Sequence, residues 1–411
     1  YAGWMRGAFN FELNQTETGY KLTAGEKAGS LTELTVPEEY NGLPVLEVGD
    51  FRYGYNLKTA NIPNTVTYIA QTAFANCSKL TEINITDAGA ETPTYISENG
   101  IVYLPADAQK GLTKSYYILP TAVTGEFTVD KEINNIAAGA FSSTSITSII
   151  IHADVTYVAP EAFANCKKLE TVTFRNPEQG AESKELTIGA KAFAKCDSLT
   201  TVNLSSRKIK DGLPLNRYTL GSLVGSSGSA NKTVYDDIDG IKHTSVSPEI
   251  TNAITDIFYT GYVKEEIATD GNKVTTVIKR APNSLQNINV DAANPDYKSI
   301  DGILYNKSGD TLLYCPEANA ATGGTLNLPA DVRTIANGAF MHNTAIKTVN
   351  IHALGVNIGE IAFYASAVEN VTFAGSNTAQ PVVLGEYAFR ESNIKKLTFA
   401  ENSKVTEIGD G

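Results

Sequence analysis

One phenylalanine recurs through this chain with the same companions at the same distances, and nothing else restricts its fold so much. From Ala162 to Phe174 the sequence reads AFANCKKLETVTF, in which Phe163 is followed by Cys166, Leu169, Val172 and Phe174 at offsets of three, six, nine and eleven. Phe74 leads Cys77, Leu80, Ile83 and Ile85 at those offsets, and Phe193 leads Cys196, Leu199, Val202 and Leu204. Phe340 heads the same frame with Asn343 in the cysteine place, and Phe51 heads a weaker one with Gly54. A version one residue shorter begins at Phe141, Phe363 and Phe389 and leads to Ile146, Val368 and Ile394. The pairs 51 and 74, 141 and 163, and 340 and 363 are separated by 23, 22 and 23 residues. A self-similar period of this size belongs to solenoids whose coils are about 20–29 residues long.

The end of each unit alternates as a strand does. Val172 and Phe174 point inward, while Thr171, Thr173 and Arg175 point outward. One such strand is too short to bury anything alone. Coils stacked at about 4.8 Å line their inward residues into a continuous dry interior. The eight phenylalanines, Phe51, Phe74, Phe141, Phe163, Phe193, Phe340, Phe363 and Phe389, then stack as a structural spine. The fold expected is a leucine-rich repeat solenoid, predominantly β within the α/β class. It is a right-handed superhelix with short parallel strands on its concave face and little helix.

The run VTYIAQTAFANCSKLTEINI, Val66 to Ile85, resembles the BspA-like, or Treponema-type, leucine-rich repeat family. Both the AF-x-x-C-x-x-L pattern and the preceding V-x-x-I are present. The resemblance covers most of residues 31–204 and 285–411. Glu38 to Phe51, EEYNGLPVLEVGDF, is similar to the opening coil of such arrays. Tyr297 to Pro316, YKSIDGILYNKSGDTLLYCP, resembles the hairpin-like unit between their coils. The resemblance implies an exported protein of the bacterial cell surface or outer membrane. It also implies adhesion to a host extracellular or cell-surface protein or glycan, without enzymatic activity.

Four segments make one continuous, elongated domain in this reading. Residues 1–30 cap the array: Phe9, Phe11 and Leu13 alternate, and Trp4 is a candidate cover for the first coil. Residues 31–204 carry repeats, with a hairpin unit at about 95–120 around Asn99-Gly100. Residues 205–284 are irregular, read as degenerate coils rather than an insertion, with Lys264 to Lys279 a protruding hairpin whose turn is Asp270-Gly271. Residues 285–411 resume the repeats and break off within a coil at VTEIGDG. In the family that the motifs resemble, another AF pair would follow. The chain opens at Tyr1 without Met or a signal peptide, as expected where a leader has been removed or lies upstream.

Charge and composition exclude some classes. The net charge is −12, and no basic face of the kind that coats nucleic acid is visible. No run of about 20 apolar residues suits a membrane span. A monomer is expected. Cys77, Cys166 and Cys196 share one repeat position and read as small buried hydrophobes. A Cys166–Cys196 bridge between neighbouring coils is the less favoured alternative. Cys315 is the fourth cysteine, and no spacing suggests zinc.

Catalytic and cofactor motifs are weak throughout. Lys232-Thr233 follows a Gly/Ser stretch, but Asn231 and Ser226 stand where a phosphate loop needs glycine. Asp236, Asp237 and Asp239 with Gly240 make a turn; a calcium loop would need a first ligand where Tyr235 stands. His152 and His352 each follow a strand isoleucine and are expected on the concave face as exposed side chains. Neither a nucleophile elbow nor a zinc helix occurs. No catalytic residue, metal ligand or cofactor is assigned. The binding candidates are the outward positions Thr171, Thr173, Arg175, Thr201, Asn203, Thr348, Asn350 and His352. The alternative is a glycan-processing or other enzymatic module hidden in residues 205–284.

Overall fold

The computed structural model describes residues 7–52, 54–86, 93–106, 114–189, 191–210, 262–269, 273–280, 284–321, 323–401 and 403–410. Trp4, the Gly225–Asn231 stretch, Lys232-Thr233 and the Asp236–Gly240 turn lie outside them. So does most of the 205–284 segment in which an enzymatic module was the alternative. The chain divides into two compact units. One comprises Tyr1–Leu169 and Leu186–Cys196, the other Glu170–Glu185 and Asp197–Gly411.

In both units each coil contributes two strands rather than one. The first is the L-x-x-V-x-I strand. In the first unit Glu33–Thr35, Thr59–Pro63 and Glu82–Thr86 run parallel in register, with Glu33 opposite Thr59 and Thr59 opposite Glu82. Thr124–Thr128 pairs in the same way with Ser145–Ile151. In the second unit Thr171–Phe174, Thr201–Leu204 and Asn287–Val290 are parallel neighbours. So are Thr325–Leu328, Thr348–Leu354, Asn370–Gly375 and Lys396–Phe399.

The second strand is made by the V-x-x-I segment and is two or three residues long in most coils. Asn135–Ile136, Tyr157–Val158 and Thr187–Ile188 stack parallel in the first unit. Thr334–Ile335, Val356–Ile358 and Val382–Leu384 do so in the second. A two-residue strand has no periodicity for hydrophobic patterning to reveal; it exists because the neighbouring coils supply its partners. Among the described residues the helical content is one 3-10 turn, Ala28–Ser30. The fold is a predominantly β, leucine-rich repeat solenoid of stacked parallel strands.

Between its two strands each coil turns around the phenylalanine. At Phe163 and Phe363 the residues two before and two after take the left-handed conformation: Glu161 and Asn165 around Phe163, Ile361 and Ala365 around Phe363. Such φ values cost most side chains roughly 1–2 kcal/mol, so the turn depends on what it makes possible. Where another phenylalanine coil follows directly, the phenylalanine N–H donates to its alanine carbonyl: Phe141 to Ala162 at 2.8 Å, Phe340 to Ala362 and Phe363 to Ala388 at 2.7 Å. The rings stack directly. Centroids are 6.1 Å apart for Phe51 and Phe74, 4.7 Å for Phe141 and Phe163, and 5.0 Å for Phe163 and Phe193. They are 4.7 Å apart for Phe340 and Phe363 and 5.1 Å for Phe363 and Phe389. All eight but Phe389 are buried; that ring is half-buried.

The cysteine position holds more than a small hydrophobe. Cys77, Cys166 and Cys196 are buried free thiols. Each donates to the phenylalanine carbonyl of the preceding coil: Cys77 to Phe51 at 3.3 Å, Cys166 to Phe141 at 3.0 Å and Cys196 to Phe163 at 3.2 Å. Asn343 fills the same place with its amide, donating to Pro316 O at 2.8 Å and Asn319 O at 3.1 Å. Thr144, Ser366 and Ser392 also occupy this offset from their phenylalanines. The site therefore accepts small side chains, of which the cysteines and Asn343 donate to the previous coil, while Ser392 donates to Phe389 O of its own coil at 2.5 Å and Thr144 meets Cys166 of the next at 3.3 Å. Burial pushes the Cys77 thiol up to about 11, so it remains protonated and able to donate.

Two antiparallel hairpin units interrupt the array. In one, Ile96–Glu98 pairs with Ile101–Leu104, which pairs with Ser115–Ile118. In the other, Tyr297–Ile300 pairs with Ile303–Asn306, which pairs with Thr311–Tyr314. Each takes the hydrogen bonds that a following coil would take. Ile83 N donates to Gly100 O, and Ile288 N to Gly302 O, both at 2.9 Å. Ser97 and Ser299 hydroxyls accept from Ile85 N and Val290 N. The turn glycine is required twice over. Gly302 has a φ of +76°, and a Cβ there would lie 2.4 Å from Asn287 Oδ1. Tyr262–Thr269 and Lys273–Arg280 form a separate antiparallel hairpin.

Candidate binding surface

The strand face is built by alternation. Along Thr348–Leu354 every second residue is buried, which leaves Thr348, Asn350 and His352 directed outward. Thr171 and Thr173 stand out from their strand, with Thr201 and Asn203 opposite them on the next; Arg175 follows as an exposed side chain. All eight candidates belong to the second unit, but they fall in two sheets. Thr171, Thr173, Thr201 and Asn203 lie in the sheet that ends at Asn287–Val290. Thr348, Asn350 and His352 lie in the sheet that begins at Thr325–Leu328. The Tyr297–Tyr314 hairpins separate those strands along the chain, so the outward rows are segmented.

His152 does not face solvent. It is 9% exposed, and its Nε2 lies 2.6 Å from Asp130 O while Nδ1 accepts the Asp154 N–H at 3.1 Å. The strand ends at Ile151, so the in-and-out alternation no longer sets its direction. His352 is exposed as expected.

The outward asparagines bond one another. Asn84 Nδ2 donates to Asn61 Oδ1 at 3.1 Å, and Asn61 Nδ2 to Glu33 Oε1 at 2.8 Å. Asn289 Nδ2 donates to Asn203 Oδ1 at 2.9 Å, and Asn203 Nδ2 to Thr173 Oγ1 at 3.0 Å. Asn350 Nδ2 donates to Asn327 Oδ1 at 2.8 Å. In every ladder the amide nitrogen points to the preceding coil and the carbonyl to the following one. Composition revealed Thr and Asn on this face, but only the coil-to-coil register makes them ladders.

A groove opens on this face. It has a volume of about 290 Å³ and is lined by Phe174, Asn176, Asn203, Leu204, Ser205, Asn289, Val290 and Asp291. It lies where three successive parallel strands end, at Phe174, Leu204 and Val290. Asn176 bridges it: its Nδ2 donates to Asp291 Oδ2 at 2.7 Å and its Oδ1 accepts the Ser206 N–H at 2.7 Å. The Asn176 amide and the Ala293 N–H hold the Asp291 carboxyl below its ordinary value of 3.8. Behind the groove Asn294 is fully buried, and its amide donates to Ser205 O at 2.8 Å and Arg207 O at 3.0 Å. Arg207, also fully buried, donates through Nε to Lys184 O at 3.0 Å. Of these residues only Asn203 was marked by its strand position; Asn176, Asp291, Asn294 and Arg207 sit outside the repeat frame.

Among the described residues no His, Cys, Asp and Glu group is arranged to hold a metal ion, and no helix is long and apolar enough to cross a membrane. Stacked two-strand coils with a polar outward face define a leucine-rich repeat protein. More narrowly, the chain belongs to the BspA type leucine-rich repeat family, whose model matches six copies over residues 24–99, 122–213 and 320–411. No curated protein matches the chain.

Solved structures are similar at low identity. The pneumococcal vaccine antigen PcpA shares 16% identity over 98% of this chain and 76% of its own, with a TM-score of 0.41. A leucine-rich repeat protein from Bacteroides ovatus shares 17%, over 98% and 77%, with a TM-score of 0.39. A leucine rich cell surface protein from Faecalibacterium prausnitzii shares 16%, over 98% and 95%, with a TM-score of 0.37.

Proposed function

We infer that this is a non-enzymatic interaction protein of the bacterial surface, whose outward strand faces dock a host extracellular or cell-surface protein or glycan. The observation that carries this reading is the ordered outward row itself. Thr171, Thr201 and Asn287 stand in one register, and Thr348, Asn370 and Lys396 in another. Repeat proteins place fixed side chains at constant intervals on such surfaces, and a broad partner can engage many of them together. Membership of the BspA type family supports repeat-based recognition. The test is a binding screen of the intact chain against extracellular-matrix proteins and surface glycans. The expected result is a partner whose affinity falls at least about tenfold with Thr171→Lys or Thr348→Lys, a loss of roughly 1.4 kcal/mol. A screen that finds no partner, or a partner indifferent to both changes, overturns the reading.

A further inference from the structure

We propose that the groove across Asn176, Asn203, Asn289 and Asp291 is a binding site for a neutral sugar ring, the terminal or an internal hexose of an uncharged glycan. The proposal rests on reading the strand face as a recognition surface and assigns one ligand class to one place on it. Four observations lead there.

The first is size. About 290 Å³ is at the lower end of the roughly 300–1,000 Å³ of small-ligand pockets, suited to one ring rather than to a folded domain.

The second is the alternation of donors and acceptors. Each Asn amide carries two N–H donors, and a carboxylate has about four acceptor positions. Asn176 Nδ2 uses one hydrogen on Asp291, Asn203 Nδ2 one on Thr173, and Asn289 Nδ2 one on Asn203. A second N–H remains on each. The Asp291 carboxylate accepts from Asn176 and from Ala293 N at 2.8 Å, which leaves acceptor positions on the groove side. Asn289 Oδ1 ends its ladder without a following asparagine. Vicinal hydroxyls, each both donor and acceptor, match this mixed set; a purely accepting or purely donating ligand does not.

The third is charge. The groove is lined by one carboxylate and no Lys, Arg or His. Uronates, sialic acids and sulfated sugars would bring a second negative charge beside the Asp291 carboxylate, whose nearby cation, Lys307, is outside the lining and bonded to Ala292 O at 2.8 Å, and the chain as a whole carries −12. The half-buried Val290 flank, beside the buried Phe174 and Leu204, offers apolar surface to the C–H edge of a ring.

The fourth is preorganisation. Asn176 is held from both sides at 2.7 Å, and the Ser205–Arg207 wall is pinned by buried Asn294. A ligand would find these groups already placed, which reduces the ordering cost of a small contact.

The test uses the full chain and a glycan array holding neutral hexose-containing oligosaccharides beside uronate-containing and sulfated ones. Titration calorimetry follows on the strongest neutral probe. Neutral glycans are expected to bind and charged ones to be rejected. Asn289→Ala and Asp291→Ala should each weaken the neutral probe by at least about tenfold. Asn289 is exposed, so its variant should keep the circular dichroism and melting curve of the parent, which separates loss of binding from loss of fold. The absence of any neutral-glycan binding at millimolar concentration would overturn the assignment, as would binding unchanged by both variants or a preference for sulfated probes. A protein partner lost with Thr348→Lys, together with no neutral-glycan binding, would overturn the groove and leave the broader surface reading standing.

Discussion

Phe163 shows what one residue does in this fold. It is fully buried, with Phe141 at 4.7 Å on one side and Phe193 at 5.0 Å on the other. Phe163→Ala removes a ring from a position with little freedom to collapse and should cost roughly 3–5 kcal/mol, read as a lower denaturation midpoint. Cys166, three residues on, is a donor as well as filler. Cys166→Ser keeps a donor for Phe141 O and should cost only about 1 kcal/mol; Cys166→Val discards it and should fall between the two. A Cys166→Val variant as stable as Cys166→Ser would show that the thiol contributes bulk alone. Ala365 tests the turn from the other direction. Its φ is +50° and its side chain is half-buried. Ala365→Gly relieves the left-handed strain, offset in part by the glycine's greater unfolded-state freedom, so a net gain of about 0.5–1 kcal/mol is expected in a denaturant titration.

At the scale of the element, the hairpin units decide how much strand face is available. Each ends a run of strands by offering a glycine carbonyl and a serine hydroxyl to the last strand's N–H groups. Gly302 permits that approach. Gly302→Ala meets both the φ penalty and Asn287, whose Cα would lie 3.1 Å from the new Cβ. The expected loss is at least about 2 kcal/mol, measurable as a lower melting temperature together with faster exchange of the Ile288 amide. The hairpins were legible because Asn99-Gly100 and Asp301-Gly302 sit between β-branched and aromatic runs. The short second strand of the coils was not legible, because its existence depends on the coils above and below it.

For the whole molecule, the net charge of −12 and the pI near 5.0 set behaviour in solution. Solubility should pass through a minimum near pH 5 and rise toward neutral pH, which a turbidity series would record. Stability should fall on further acidification. Hydrogen bonds from Asn176 and Lys395 depress Asp291 and Glu369 below their ordinary 3.8 and 4.5. A depressed folded-state value contributes stability that is complete above the unfolded value and lost as the pH drops through the folded one. The melting temperature is therefore expected to decline below about pH 4.5. Asp291→Asn should make that decline shallower, and an unaltered slope would remove Asp291 from the account.

The sequence alone determined the coil. A phenylalanine frame repeating every 22 or 23 residues, with a strand that alternates inward and outward, specifies stacked windings, because each copy can dry its apolar side only against the next. Those instructions are local and periodic, and so they are readable. Only the tertiary structure decided the asparagine ladders, the inward turn of His152, the segmentation of the strand face and the groove at Asp291. Asn176 and Asp291 touch across 115 residues, outside any repeat frame. A contact made by two aperiodic residues leaves no regular signal along the chain, and it appears only once folding has laid one coil beside another.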